Sequence, residues 1–178
     1  MISIEQIHHV AYRCKNAKDT VNFYKKYLNM DLLVSIAEDR VPSTKEENPY
    51  MHVFLDAGNG NILAFFEITG EKPLSRDLNT PAWVQHIAFK LENEEKLIEA
   101  KNELEKKGLE VIGITDHGII KSIYFFDING HRLELTCLTA TDEQMVELKK
   151  IAPSMLEEWD KTKIPPRGAS WLHDKEFK

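Results

Sequence analysis

Three side chains in this sequence have the types and local patterns that bind a transition metal: His9, His86 and Glu134. Each lies in a stretch that alternates like a β-strand, in which neighbouring side chains point to opposite faces of a sheet. The bulky apolar neighbours suit a helix-covered face, so the two histidines and the carboxylate are expected on the open face. Two histidines and one carboxylate from three strands form a facial ligand set that leaves coordination positions free. We therefore expect one divalent metal ion, with Fe(II) favoured and Mn(II) or another divalent metal as the alternative.

Glu134 also carries the alternative interpretation of these residues. Leu133 and Leu135 flank it, and a carboxylate on an inner strand face is costly unless a positive group meets it. Without a metal, Glu134 would pair with Arg132 or Lys90, and each histidine would be an ordinary hydrogen-bonded strand residue. The metal interpretation is favoured because the histidines occur at matched positions of a repeat.

That internal repeat divides the chain into two similar halves. The stretch 85–90 (QHIAFK) matches 8–13 (HHVAYR) in residue type, 77 positions later. Each stretch is followed by a polar helix start and an amphipathic helix, and each half closes on a glycine turn and a strand, at Gly60 and Gly130. A regular repeat of this kind describes the fold. It predicts an α+β protein in which each half has the order strand, helix and three strands (βαβββ), plus a helical C-terminal extension.

The repeat also sets the expected boundaries. We expect a first module at 1–70, a linker at 71–81, a second module at 82–140 and the extension at 141–178. Alternation predicts strands at 5–14, 31–37, 50–56, 62–68, 83–90, 109–114, 122–126 and 131–138. Helices are expected from Asn16 to near Asn29, over 94–107, and after Thr141, where Pro153 is expected to interrupt the helix. The polar segment 38–49 is predicted to be a loop.

Composition argues against several classes of function. The chain has 178 residues, with 42% hydrophobic and 29% charged residues, which is ordinary for a globular protein. Its formal net charge of −6 argues against nucleic acid or an anionic membrane as a partner. No apolar run approaches the roughly 18 residues that a membrane span needs. Cys14 and Cys137 fall on expected strands without a disulfide framework, which predicts a reduced, cytoplasmic protein.

These motifs resemble the vicinal oxygen chelate superfamily, the group of glyoxalases, bleomycin resistance proteins and extradiol dioxygenases. The resemblance covers roughly 4–138 and implies paired βαβββ modules with curved, mostly antiparallel sheets around a metal cleft. It also implies that His9, His86 and Glu134 are the metal ligands. The run from Thr115 to Glu134 is also similar to the extradiol dioxygenase signature, apart from Ile128, which replaces a proline. That similarity implies that His117 and Tyr124 lie beside the substrate and oxygen.

Two departures from the family pattern narrow the expected function. Glyoxalase I members have a fourth ligand, a glutamate, where this chain has Ala64, and Glu67 is expected on the opposite face of the strand. Many extradiol enzymes have an acid–base histidine before the second metal histidine, and 70–85 contains none. Proton abstraction would then depend on the metal, Tyr124 or His117.

The resemblance therefore implies a metal-dependent dioxygenase of the extradiol ring-cleaving type, acting with O2 on a catechol-like or other vicinal-oxygen small molecule. The alternatives are a metal-dependent isomerase, epimerase or glyoxalase-like lyase of the same superfamily, and a non-catalytic drug-binding protein. His52 and Phe65 are the candidate substrate contacts, because one of the pair Phe65 and Phe66 must alternate into the cleft. The cleft could close within one chain or be shared in a homodimer.

Overall fold

Two four-stranded sheets organise the chain in the computed structural model, which describes residues 2, 4–70 and 79–173. The first half contains β1 (Val10–Cys14), α1 (Ala17–Leu28), β2 (Leu32–Arg40), β3 (Glu47–Asp56) and β4 (Ile62–Ile68). The second contains β5 (His86–Lys90), α2 (Glu94–Lys106), β6 (Ile112–Asp116), β7 (Ile120–Phe126) and β8 (Arg132–Leu138). The strand orders are β1-β4-β3-β2 and β5-β8-β7-β6, which confirms the α+β class and the two βαβββ modules. Of the expected linker 71–81, residues 71–78 lie outside the described part of the chain.

The first sheet has one parallel and two antiparallel pairings. Strand β1 runs parallel to β4, while β3 is antiparallel to both β2 and β4. One face of this sheet is covered by α1, whose Tyr24 packs on Phe65 at a ring-centroid distance of 5.0 Å. Val53, Leu55 and Phe65 are at most 3% exposed on that face. Burial of each large apolar side chain contributes about 1.5–3 kcal/mol to stability.

The chain divides into two compact units that do not follow the halves strictly. One unit comprises Met1–Gln85 with Phe126–Arg132, and the other comprises His86–Phe125 with Leu133–Lys178. The turn between β7 and β8 therefore belongs to the first unit, where Asp127 accepts a hydrogen bond of 3.1 Å from the Tyr24 hydroxyl. Asn129 accepts from the Lys15 amide at 2.9 Å and donates to Thr20 Oγ1 at 3.1 Å. Asp127 and Asn129 are buried, and these bonds satisfy their polar atoms.

The helix starts were predicted correctly, because capping is a local effect. The Asn16 side chain accepts from the Asp19 amide and caps α1, and Asn29 ends the helix in the left-handed conformation at φ 55°. Thr141 forms the expected capping box with Gln144 at the start of α3 (Asp142–Thr162). Contrary to expectation, Pro153 does not interrupt α3, because one missing N–H removes a single bond from a helix of 21 residues. A short helix, α4 (Ser170–His173), follows.

Several strand ends differ from the sequence prediction. Strand β1 begins at Val10 and β5 at His86, so both are shorter than expected, and β6 is shifted towards the C-terminus. Strands β2 and β3 extend beyond the predicted ends, because Arg40 pairs with Glu47 both in backbone register and as an ion pair. Only 41–46 remains of the expected loop at 38–49. Within the described residues, no helix combines the length and apolar character needed to cross a membrane.

Candidate metal centre

Glu134 lies on β8 in the second unit and is 3% exposed. Its Oε1 accepts a hydrogen bond of 2.5 Å from Ser122 Oγ, and its Oε2 lies 3.0 Å from His86 Nε2. Ser122 and His86 thus meet the carboxylate of Glu134, where Arg132 or Lys90 would be expected to pair with it in the absence of a metal. Arg132 instead donates to the Trp83 carbonyl at 2.7 Å.

Strand alternation separates this polar cluster from the core of the second unit. Leu133 and Leu135 share one face of β8 and are buried, as are Ile123 and Phe125 on β7 and Leu97 on α2. Glu134 points to the other face, where the ring of His86 reaches it from the neighbouring strand. A buried carboxylate is stable only where donors or a cation compensate its charge, and here one hydroxyl and one imidazole do so.

His86 and Glu134 form a donor set that fits a divalent metal ion. The imidazole nitrogen and the carboxylate oxygen face each other at 3.0 Å, and both atom types bind Fe(II), Mn(II) and similar ions. The side chain of His86 is 33% exposed, so an ion can reach the pair from solvent. Ser122 donates a hydrogen bond to the other carboxylate oxygen of Glu134. Residues that surround metal ligands commonly orient them in this way.

The residues expected beside the substrate lie on the same face of the second sheet. His117 Nε2 and the Tyr124 hydroxyl are 2.7 Å apart. The Tyr124 ring meets the ring of His86 edge-on, with centroids 6.2 Å apart and an interplanar angle of 88°. The second unit therefore brings together four predicted site residues: His86, His117, Tyr124 and Glu134.

A bulge in β6 precedes His117. The pairing with β7 shifts between Gly113 and Thr115, so that Thr115 lies opposite Ser122. Gly113 has φ +109°, and a Cβ there would approach the Ser122 carbonyl oxygen to 2.7 Å. Only glycine fits this position, and the bulge sets where β6 ends ahead of His117.

His9 lies in the first unit, immediately before β1 rather than within it. Strand alternation therefore does not determine where the side chains of His8 and His9 point. The Nδ1 atoms of the two histidines are 2.8 Å apart, which leaves His9 Nε2 as the nitrogen for a metal. The His9 ring also contacts Phe54 at 5.7 Å and His52 at 6.3 Å between centroids.

The complete three-residue ligand set remains a prediction. His9 belongs to one compact unit, and His86 and Glu134 belong to the other. Among the residues that the structure describes, no three His, Cys, Asp or Glu side chains form a group that could hold a metal ion.

Of the two expected substrate contacts, His52 is well placed and Phe65 is not. Phe65 is fully buried and packs on Tyr12 and Tyr24, on the helix-covered face of the first sheet. Phe66 is the residue that alternates to the open face, where its ring stacks on His52 with centroids 3.6 Å apart. Burial, and secondarily the nearby His9, lower the pKa of His52.

Glu67 faces away from this surface, as expected. It pairs in register with Met51 and Cys14, and its carboxylate accepts a hydrogen bond of 2.6 Å from the Ala17 amide at the start of α1. A carboxylate is favourable there because the first amides of a helix carry a partial positive charge. Ala64, at the position of the fourth glyoxalase ligand, is fully buried.

Comparison with known proteins identifies the family. The family model described as "Glyoxalase/Bleomycin resistance protein/Dioxygenase superfamily" matches residues 6–135. The chain belongs to this superfamily. Members are mostly enzymes that bind small molecules, use a divalent metal ion and often form dimers.

Individual relatives are distant. The chain is 28% identical over 139 residues to a Bacillus subtilis protein described as "Putative ring-cleaving dioxygenase MhqA"; the match covers 76% of this chain and 41% of that protein. Among solved structures, a glyoxalase family protein from Enterococcus faecalis is 27% identical with a TM-score of 0.54, covering 74% of this chain and 97% of that chain. The fosfomycin resistance protein FosX of Listeria monocytogenes, solved with Mn(II) and a sulfate ion, is 22% identical with a TM-score of 0.55. This match covers 81% of this chain and 99% of FosX. At this level of identity the similarity shows the fold alone.

Sequence reasoning missed three groups that contribute to these faces: Ser122, Phe54 and His8. Ser122 could have been found, because it lies two residues before Tyr124 and period-two alternation puts both on one face. Phe54 lies two residues after His52, so the same alternation puts both on one face. The role of His8 depends on where β1 begins, which the local sequence does not determine.

Proposed function

We propose that this chain is a metal-dependent dioxygenase of the extradiol ring-cleaving type that acts on a catechol-like small molecule. The observation that carries the proposal is the hydrogen bond between His117 and Tyr124 on the same face as the His86–Glu134 pair. Two groups that can move a proton thus stand beside two groups that can bind a metal. The distant similarity to a protein named as a ring-cleaving dioxygenase supports the same reaction class.

His86 Nε2, Glu134 Oε2 and His9 Nε2 would hold the metal, with Fe(II) as the favoured ion. When bound, the metal would chelate two vicinal oxygens of the substrate and bring O2 to a neighbouring position. Ser122 keeps the carboxylate of Glu134 oriented by occupying its second oxygen.

Tyr124 and His117 would transfer the substrate proton. Tyr124 is 6% exposed, while His117 lies among the exposed residues. A proton released by a substrate hydroxyl could therefore pass through the tyrosine hydroxyl to His117 Nε2 and on to solvent. This pair takes the place of the acid–base histidine that 70–85 lacks.

The second candidate is a metal-dependent isomerase or epimerase, because a base next to a chelated substrate also suits enolate chemistry. A glyoxalase-like lyase is less favoured, since Ala64 and Glu67 supply no fourth ligand. A binding protein without turnover would need neither the metal nor the proton relay.

Oxygen consumption separates these functions. Protein reconstituted anaerobically with Fe(II) is mixed with substituted catechols, and oxygen uptake and the yellow ring-opened product are measured after admission of air. The proposal predicts uptake that is slow with catechol and faster with diols whose hydroxyl is more acidic. Metal binding without oxygen uptake on any diol would favour the isomerase, and the absence of metal binding would favour the binding protein.

A further inference from the structure

The imidazole of His52 is held in a fixed orientation on the open face of the first sheet. Its ring stacks on Phe66, with centroids 3.6 Å apart and planes inclined by 18°. The ring of Phe54 lies against it at 4.1 Å and 43°. Two aromatic neighbours, one on the same strand and one on β4, therefore restrict the rotation of His52.

The Nε2 atom of His52 is buried and has no hydrogen-bond partner within the described residues. Buried polar atoms in folded proteins are normally hydrogen-bonded, and an exception calls for a specific explanation. A histidine that only filled space in the core would be expected to have this nitrogen satisfied. An oriented nitrogen without a partner instead fits a binding site in which a polar atom of the ligand completes the hydrogen bond.

The surroundings of this nitrogen suit a flat aromatic ring. Tyr50 meets Phe66 edge-on at 5.4 Å, which extends the aromatic surface along β3 and β4. Ile36 and Val34 on β2 pair with His52 and Phe54 and remain 42% and 47% exposed. The His9 ring lies 6.3 Å from His52, so this surface adjoins a proposed metal ligand.

We propose that His52 determines substrate specificity by hydrogen bonding to a polar substituent on an aromatic diol, separate from the two vicinal oxygens. This inference rests on the proposed function, in which the metal takes both vicinal oxygens, so the atom that meets Nε2 must be a third polar group. Phe54, Phe66 and the exposed aliphatic residues of β2 would border the ring. The substrate class is thus a catechol with a hydroxyl- or carbonyl-bearing side group rather than an alkyl group.

A matched pair of ligands tests this without turnover. The dissociation constants of hydroxymethyl-catechol and ethyl-catechol are measured anaerobically, with metal-free protein and with Zn(II), by isothermal titration. The two ligands have nearly the same shape, but only the first carries a third polar atom. Wild-type protein is expected to prefer the hydroxymethyl ligand by about tenfold, the effect of one hydrogen bond.

The variants locate the preference at His52. In His52→Phe, which keeps an aromatic ring and loses both nitrogens, the preference should disappear. His52→Gln should retain part of it, because its amide offers a polar group at a similar reach. Met51→Leu is the control, since Met51 is the neighbouring strand residue on the opposite face.

Nitrogen NMR of the His52 ring gives a second readout. Its Nε2 resonance should shift on binding of the hydroxymethyl ligand and much less with the ethyl ligand. An equal preference in wild type and His52→Phe, or no binding of either ligand, would overturn the inference. Failure of oxygen uptake alone would remove the dioxygenase proposal and leave a measured ligand preference intact.

Discussion

Tyr124 and His117 lie 2.7 Å apart, with the tyrosine buried on β7 and the histidine exposed just after β6. One hydrogen bond thus connects the buried hydroxyl of Tyr124 to an imidazole that is open to solvent. Tyr124 also meets the ring of His86 edge-on, so this hydrogen bond lies beside a proposed metal ligand.

Removal of either member of this pair should reduce turnover without removing the metal. Tyr124→Phe deletes only the hydroxyl, and His117→Ala deletes its partner. Loss of a preorganised group of this kind typically costs about 10²–10³ in rate. Turnover per bound metal, compared with metal content in the same samples, tests the prediction. Wild-type turnover in both variants would exclude the pair from the reaction.

Glu134 rather than Glu67 should be the metal-binding carboxylate. Glu134→Gln should lose most of the metal, because a neutral amide is a much poorer ligand for a divalent ion. Glu67→Gln is the matched control, since its amide oxygen can still accept from the Ala17 amide. Metal content is measured after identical dialysis. Loss of metal from the Glu67 variant alone would mean that the strand faces are assigned in reverse.

His8 should contribute to metal affinity through His9. Its Nδ1 lies 2.8 Å from His9 Nδ1, and when His9 donates in this contact, His9 Nε2 carries the lone pair that binds a metal. Loss of such an outer partner typically weakens metal binding by about 10–100-fold. Competition with a metal-binding dye gives the affinities of wild type and His8→Ala. His8→Asn, which restores a polar side chain, should recover part of the loss, and unchanged affinity in both variants would refute the role.

Cys14 should be inert to thiol reagents in the folded protein. Burial, with a smaller contribution from Glu67, raises the pKa of its thiol to about 11. The folded state therefore favours the neutral thiol, and this contribution to stability is present below the thiol pKa of the unfolded chain. It is lost as pH rises towards about 11. Reaction with Ellman's reagent should be slow at pH 8 and become fast in denaturant; fast reaction of folded protein would contradict the packing.

The sequence was sufficient to predict the two modules and the strand face on which Glu134 lies. The repeat around His9 and His86 predicted two βαβββ modules, and alternation around Glu134 predicted its face. Asn16 and Thr141 marked helix starts because caps depend on residues three positions apart. These signals are all local or repeated, so one sequence contains them.

The strand ends and one strand face could not be predicted, because they depend on distant residues. Phe65 and Phe66 are adjacent and equally apolar, and only pairing with His52 decides that Phe66 faces the open side. The ends of β2 and β3 depend on the pairing of Arg40 with Glu47 across a hairpin. The start of β1 at Val10 depends on its pairing with Leu63, more than fifty residues later.

Metal analysis of purified wild type and His86→Ala tests the central claim most directly. The account predicts about one divalent transition metal per wild-type chain after mild dialysis. His86→Ala should retain almost none, because two remaining ligands leave the charge of Glu134 poorly compensated. His131→Gln is the control, since His131 Nε2 contacts the Arg13 carbonyl and His131 is not among the proposed ligands. Equal metal content in wild type and His86→Ala, or no metal in either, would contradict the proposed site.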